Sequence, residues 1–324
     1  MPLVLNAATG DDGRRLDRIL RKALPDSPLS LIHRLLRKGR ILVDGKSAPA
    51  DLRVHAGQVI TVPLEDAGGK EINQKGQSGP VDLLAPLILF ENADFLILNK
   101  PAGLAVHGPD SLDTLAQAYL APKIPPSLSF RPGPLHRLDK PTSGVIVFSA
   151  SLAGARRFSA LLQSRRVCKG YLALVEGVIE KEGVWEDELI RDQGRQKTFT
   201  RQVSDTDKDL SPEGTKNART RFKPLMVKPP YTLLQLELDT GRTHQIRAQA
   251  AAHGHPLAGD RKYGSRRSGD LLLHAWFLEV PAETPPENRG FPPAAGPRLP
   301  RRMEAPLPEK FRMRVKDIFG EHVY

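Results

Sequence analysis

The chain has 324 residues, of which 40% are hydrophobic and 26% charged, with a net charge of +11. That length suits two domains of roughly 150 residues each, and no apolar run approaches the ~20 residues needed to cross a bilayer. A single cysteine, Cys168, excludes an intrachain disulfide and a cysteine-built metal cage and fits a reducing compartment. The surplus of positive charge points to a polyanionic partner. Without a basic amphipathic helix flanked by aromatics, nucleic acid is favoured over a membrane surface. Met1–Asn6 has neither the basic nor the apolar segment of an export signal, so a cytoplasmic location is expected.

Residues 1–63 read as a small module. Leu16, Ile19, Leu20 and Ala23 recur at helical spacing, with Arg14, Arg15, Arg18, Arg21 and Lys22 around the rest of the cylinder. Pro25 to Pro28 breaks that helix, and Ser30 reads as the N-cap of a second one over 31–38, which Gly39 ends. Two short strands, 41–43 and 58–62, follow, with a hairpin signal at Asp44-Gly45. Between Arg14 and Arg53 there are eleven Lys or Arg against four Asp. A charge run is more often a solvated face. Here it falls on two consecutive helices of a tiny module, which favours a phosphate-binding surface with Arg18, Arg34, Arg37 and Lys38 as candidate contacts.

Residues 64–82 are poor in bulky apolar side chains and read as a flexible linker. Gly68-Gly-Lys70 lacks the spacing and the trailing Ser or Thr of a phosphate loop. A second domain spans 83–324. Residues 87–90 and 95–98 read as paired strands with a turn at 91–94, and Lys100-Pro-Ala-Gly103 as an ordered loop. A short helix over 114–120 and an irregular approach over 122–134 lead to the central stretch 135–149. There, His136, Arg137 and Asp139 precede Pro141-Thr-Ser-Gly144, and a β-branched run then gives a buried strand. A helix from Leu152, a glycine-bounded strand over 169–177 and exposed hairpins and loops over 180–223 come next. The alternation over 231–238 puts Leu234, Leu236 and Leu238 on the buried face, and Thr243 reads as the cap of a helix running to Ala252. A buried strand over 271–280, a Pro-rich excursion over 287–302 and a last helix over 311–319 complete the chain.

The chemistry narrows by elimination. Asp239-Thr-Gly241 matches the aspartic-protease tripeptide, but no second copy supplies the partner carboxylate. His136-Arg-Leu-Asp139 lacks the other kinase motifs, and no serine-hydrolase elbow occurs. His253, His255 and Asp260 lie in a Gly/Pro-containing turn, where loop structure is the commoner reading than a metal site. A carboxylate held among cations on a loop braced by a strand remains: Asp139, with His136, Arg137, Tyr171, Arg242 and Arg247. Singly, each has a bland reading: an Asx turn for Asp139, strand core for Tyr171, a solvated helix residue for Arg247.

As a set they match a family. His136-Arg-Leu-Asp-Lys-Pro-Thr-Ser-Gly144, Asn99-Lys-Pro-Ala-Gly-Leu-Ala-Val-His107, Tyr171–Gly177, and Gly241-Arg-Thr-His-Gln-Ile-Arg247 through Gly264 resemble the motifs of the RluA-type pseudouridine synthases, in order, over about residues 83–281 and again at 306–311. The first 63 residues resemble the S4 RNA-binding domain through Gly39–Gly45 and Gly57–Val62. Gln249 departs from the family's frequent His, and the Pro-rich stretch before Met303 is longer than usual.

The resemblance implies an α+β fold with a mixed, mainly antiparallel central sheet, the site in its central cleft, and a small S4-like α/β module. It implies structured RNA as substrate, most often 23S-type large-subunit ribosomal RNA with transfer RNA as the runner-up, and no metal or cofactor. It implies Asp139 as the essential carboxylate, acting as nucleophile or as base, Arg247 as its ion-pair partner and Tyr171 stacked on the uracil. Arg137 would fill the space the base leaves, and His136, Arg242 and His244 would line the substrate site. A monomer is expected. A catalytically silent RNA-binding protein would keep the basic module without needing Asp139, Tyr171 and Arg247 together.

Overall fold

The computed structural model describes residues 2–63, 83–192, 194, 197–201, 215–281 and 299–320. The expected linker, and residues 287–298 of the Pro-rich stretch, lie outside the described residues.

In the N-terminal module the chain forms β1 (Leu3–Asn6), β2 (Arg14–Arg15), α1 (Leu16–Ala23), α2 (Leu29–Arg37), β3 (Leu42–Val43), β4 (Lys46–Ser47), β5 (Arg53–Val54) and β6 (Val59–Val62). The strands lie in the order β1-β6-β3-β4, with β2 on β5 apart. Leu16, Ile19, Leu20 and Ala23 are buried against Ile32, Leu35 and Leu36, as their spacing predicts. Asp44 and Gly45 both take positive φ, 50° and 75°, the geometry that a two-residue hairpin turn demands. Two details differ. The second helix begins at Leu29, because the Pro28 carbonyl accepts the Leu31 and Ile32 amides and Pro28, with φ already fixed, precedes the first turn. Strand β1 has only Leu5 of its four residues buried, too weak a pattern to read from sequence.

The second domain adds β7 (Ile88–Glu91), β8 (Phe95–Lys100), α3 (Leu112–Leu120), β9 (Gly133–Pro134), β10 (Ser143–Ser149), α4 (Leu152–Gln163), β11 (Cys168–Glu176), β12 (Gly183–Asp192), β13 (Lys197–Arg201), β14 (Lys216–Lys228), β15 (Tyr231–Leu238), α5 (Gln245–Ala252), β16 (Leu273–Glu279), β17 (Arg302–Glu304) and α6 (Glu309–Phe319). They build an eleven-stranded sheet, in the order β13-β12-β14-β15-β11-β16-β10-β8-β7, with β17 added on β16 and β9 on β10. The pairing of β10 with β16 is parallel; the others are antiparallel, so the sheet is mixed and mainly antiparallel as expected.

The central strands are apolar without interruption because both faces are covered. Leu96, Leu98, Ile146 and Phe148 face the side that holds α3, and Phe95, Ile97, Val145 and Val147 meet Phe158 of α4 on the other. The same holds for β15. Leu234 and Leu236 are buried on the first face, but Leu233 is equally buried on the second, against Phe311 and Val315 of α6, so the alternation is not one-sided. Helix α3 starts at Leu112 rather than Thr114, because Ser111 accepts the Thr114 amide as its cap. The exposed hairpins and loops expected over 180–223 are corrected in part: among the described residues there, β12, β13 and β14 extend the main sheet, and Trp185, Leu189 and Ala218 are buried; the many charged residues between them masked the alternation.

The parallel step between β10 and β16 depends on Gly144. Its φ is +116°, and a Cβ built there would lie 2.1 Å from the Ala275 carbonyl oxygen. Gly144→Ala therefore combines backbone strain with a clash against main chain, and is expected to cost about 3 kcal/mol or more. The urea midpoint checks this, and a wild-type midpoint would overturn it.

Candidate active site

Three elements meet over the middle of the sheet. Asp139 lies in the turn that feeds β10, which closes as the Thr142 amide donates to the Asp139 carbonyl at 3.0 Å. Tyr171 comes from β11, opposite Leu236 of β15. Arg247 comes from the first turn of α5. That helix is entered through His244, whose φ of 55° puts a non-glycine residue in left-handed backbone, an outlier of the kind that collects at functional sites. Thr243 does not cap it. Its carbonyl accepts the Thr198 hydroxyl at 3.0 Å, while Gln245 Oε1 holds the loop by accepting the Arg242 amide and the Thr240 hydroxyl, both at 2.9 Å.

The buried ammonium of Lys100 fixes the other side of the site. It donates to the carbonyls of Leu104 at 2.7 Å, Pro101 at 2.9 Å and Lys140 at 3.1 Å. This pins the 101–104 loop to the residue after Asp139 and explains why a lysine stands before Pro101. Burial, opposed by the Asp139 charge, lowers Lys100 to about 8.

Arg247 Nη1 stands 3.5 Å from Asp139 Oδ2, and His244 Nε2 stands 3.7 Å from the same oxygen. The stronger bonds of Arg247 go elsewhere. Its Nε and Nη2 grip Asp260 at 2.7 and 2.8 Å, and the guanidinium lies 4.9 Å from the Tyr263 ring centre. Hydrogen bonds to charged groups contribute about 1.5–3 kcal/mol each, so a two-pronged fork outweighs one longer contact, and Asp260 sets the orientation. Burial alone would lower Arg247; the Asp260 bond and charge, with Asp139, outweigh it and hold the group above its ordinary value.

Asp139 is thus flanked by two cationic or potentially cationic groups, while no donor among the described residues hydrogen-bonds its carboxylate. Tyr171 is 8% exposed. Burial, reinforced by the Asp139 charge, raises its hydroxyl, so the ring stays neutral. Asp139, Tyr171, Arg247, Arg137, Arg242 and His244 line one cavity of about 260 Å³. Its size and mixed lining suit a planar base held by a stacking ring and a few polar groups.

His136 also lines this cavity, but its Nε2 accepts the Val147 amide at 3.1 Å and its ring stacks on Phe158, 6.1 Å between centres, so it braces the sheet. Arg137 and Arg242 are exposed at the cavity, and Arg242 Nε donates to the Asn217 carbonyl. Arg18, Arg34, Arg37 and Lys38 are exposed on the N-terminal module and do not line the cavity.

The turn weighed as a metal site is occupied otherwise. His253 meets Asp187 at 3.2 Å, His255 the Glu176 carbonyl at 3.1 Å, and Asp260 belongs to Arg247. Asp260, Tyr263, Lys100 and Lys169 were missed as site residues. Tyr263 accepts the Thr198 amide at 2.9 Å through its hydroxyl, which also meets His244 Nδ1 at 2.8 Å. Gly259-Asp-Arg-Lys-Tyr-Gly264, already legible as a motif, was the available signal for two of them. Gln249 is buried, accepting the Thr220 hydroxyl at 2.6 Å and donating to Asp187 at 2.7 Å and the Trp185 carbonyl at 3.1 Å. It ties α5 to β12 and β14 rather than touching the cavity.

Comparison with known proteins bears on this arrangement. A family profile described as RNA pseudouridylate synthase matches residues 94–252, and one described as S4 domain matches 14–60. The chain is 34% identical over 275 residues to "Ribosomal large subunit pseudouridine synthase C" of Vibrio parahaemolyticus serotype O3:K6, covering 83% of each. It is 36% identical over 284 residues to "Ribosomal large subunit pseudouridine synthase D" of Nitrosomonas europaea, covering 83% of this chain and 77% of the relative. With the Yersinia pestis synthase C it shares 32% over 314 residues, 95% and 93% of the two chains. The chain belongs to the RNA pseudouridylate synthase family. Among solved structures, "Human RNA Pseudouridylate Synthase Domain Containing 4" superposes with a TM-score of 0.57 at 22% identity, over 74% of this chain and 95% of that one, which supports the fold. As a pseudouridine synthase the protein is an isomerase: it converts uridine in RNA to pseudouridine.

Two outcomes are expected. In Asp260→Asn the Arg247 fork loses half its charge pairing. A displacement of about 1 Å is enough to cut pseudouridine formation by about 10²-fold, with RNA affinity within about two-fold of wild type; a matching loss in KM alone would contradict the role given to Asp260. The second concerns acid. Burial, with the Lys169 charge, lowers His136 to about 3, and burial lowers His274 to about 4. Both rings fold uncharged while the unfolded chain takes up protons near pH 6.5. Their contribution is therefore complete above about 6.5 and erodes as pH falls toward the folded values. His274→Gln should lose less stability between pH 7 and 4 than wild type; parallel curves would overturn this.

Proposed function

We propose that this pseudouridine synthase modifies uridines of large-subunit ribosomal RNA, with Asp139 as the essential carboxylate, Arg247 as its charge partner and Tyr171 as the face on which the uracil stacks. The ribosomal substrate is supported by relatives named as large-subunit synthases that align over up to 95% of the chain and by the basic module at the N-terminus. We read the first 63 residues as the RNA grip and residues 83–324 as the catalytic domain, working as a monomer in the cytoplasm. The single observation that carries the site assignment is Asp139 at 3.5 Å from Arg247 in the same cavity as Tyr171.

The reaction breaks the bond between C1′ and N1 of uridine, turns the base and joins C1′ to C5. One proton leaves C5 and one is gained at N1, so nothing is oxidised or reduced. The target base must first leave its stack, at a cost of a few kcal/mol. A carboxylate to which none of the described residues donates a hydrogen bond keeps its lone pairs for the sugar, either attacking C1′ or taking a proton from the ribose. The Arg247 cation faces that carboxylate at 3.5 Å, and its fork to Asp260 stops it from swinging away. Tyr171, buried and neutral, offers a ring face to the everted uracil and a hydroxyl that donates.

Asp139→Asn keeps the shape and removes the charge. With unmodified ribosomal and transfer RNA as substrates, chemical labelling and primer stops should show pseudouridine at discrete large-subunit positions with wild type and none with the variant, while RNA affinity changes less than about two-fold. Activity in Asp139→Asn would sink the site assignment, and modification confined to transfer RNA would sink the substrate.

A further inference from the structure

The N-terminal module and the catalytic domain meet at a buried carboxylate. Asp11 is 0% exposed. Within its own module Oδ2 accepts the Ala8 amide at 3.1 Å. Its other bonds cross to the segment between α3 and β9: the Leu128 amide donates to Oδ2 at 2.9 Å, and the Ser127 and Ser129 hydroxyls donate to Oδ1 at 2.7 and 2.5 Å. Arg14 Nη1 donates to Ser129 Oγ at 2.6 Å from the same side. Leu128 packs on the hydrophobic core of the N-terminal module, and a Cβ at Gly10 would meet Ser127 Cβ at 2.7 Å, so the two backbones are in close contact. The latched segment continues into β9, which pairs with β10, and then into the turn holding Asp139.

Arg15 and Arg157 pair with Asp17 and Asp94, but no ion pair among the described residues holds their neighbours Arg14, Arg18 and Arg156. Burial and the charges of Arg156 and Arg18 lower Arg14, with Asp11 opposing; Arg18 belongs to α1 of the N-terminal module and Arg156 to α4 of the catalytic domain. Arg156 also lines a cleft of about 560 Å³ between the modules, with Thr9 and Gly10. The acidic groups facing that cleft are engaged: Glu91 by Tyr119 at 2.6 Å and Lys123 at 2.8 Å, Asp12 by the Ala56 amide at 3.1 Å and His55 at 3.2 Å.

We infer that the Asp11 latch joins the basic faces of the two modules into one seat, in which Arg18 and Arg156 hold the same stretch of RNA backbone phosphate. The inference rests on the RNA-modifying reading above and adds a binding site to it. Because the latch is also tied to the segment leading to Asp139, the seat sets the distance between the gripped phosphate and the uridine that reaches the cavity. Arg14, committed to Ser129, is a positioning residue here, as is Asp11.

The test is the salt dependence of binding to an in vitro transcript of large-subunit ribosomal RNA, using the full chain. One lost phosphate contact lowers the log–log slope by about 0.7–0.9. Arg18→Gln and Arg156→Gln should each do this, weakening binding about five-fold near ~0.15 M salt, and the double variant should lose little more than either single. Unlatching with Leu128→Gln should make the two losses independent and therefore additive. Should that variant melt early, Ser127→Ala cuts one cross-module bond and leaves the core of the N-terminal module untouched. A wild-type slope in Arg156→Gln, full additivity in the latched protein, or no change on unlatching would each overturn the seat. Failure of the wild-type protein to form pseudouridine would overturn the functional reading instead, since the seat is judged by binding alone.

Discussion

The site is arranged around the guanidinium of Arg247. It is nearly buried, with 8% of its side chain accessible, and a charge in that position is tolerated only where its donors are matched. Asp260 matches two of them, the Tyr263 ring covers its face, and the remaining edge turns to Asp139 at 3.5 Å. Were the bonding reversed, with Asp139 in the fork, the carboxylate proposed to react would be tied down by hydrogen bonds. In the observed division Asp139 lies outside the fork, 3.5 Å from Arg247, and Asp260 is the carboxylate that holds the guanidinium.

A rigid base makes such a division useful. Asp139 and Tyr171 are supplied by elements on either side of β16, the strand that sits between β10 and β11, and the sheet there is buried on both faces. Protein interiors pack densely enough to resist small shifts, so the spacing between the two side chains is set by strand pairing rather than by flexible loops. The Lys100 ammonium does the same for the loop beside Asp139, holding three carbonyls that the sheet does not reach. A buried ammonium costs solvation, and three short bonds to oxygen offset it.

The N-terminal module follows another logic. Its core is separate and its helices expose their arginines, but the Asp11 contacts tie it to the segment that leads to β9. An RNA-gripping module on a free tether would raise local RNA concentration without choosing a uridine. In the proposed seat, one latched to the segment that leads to Asp139 would hold its RNA at a defined distance from the cavity.

Much of this was legible in the residue order. Leu16, Ile19, Leu20 and Ala23 reported a helix because packing there is local and obeys a 3.6-residue period. The runs at 95–98 and 145–149 reported buried strands because covered faces demand apolar side chains in succession. The set of Asp139, Tyr171 and Arg247 was readable from motifs lying far apart in the chain. What only the tertiary structure decided is who bonds to whom. Asp260 takes the fork of Arg247, His136 gives its Nε2 to the sheet, and Ser127, Leu128 and Ser129 close on Asp11 from more than a hundred residues away. Residue order specifies periodic and local preferences strongly. Hydrogen bonds between distant side chains depend on the register and packing of strands that no local pattern encodes, and so they became visible only once the sheet was assembled.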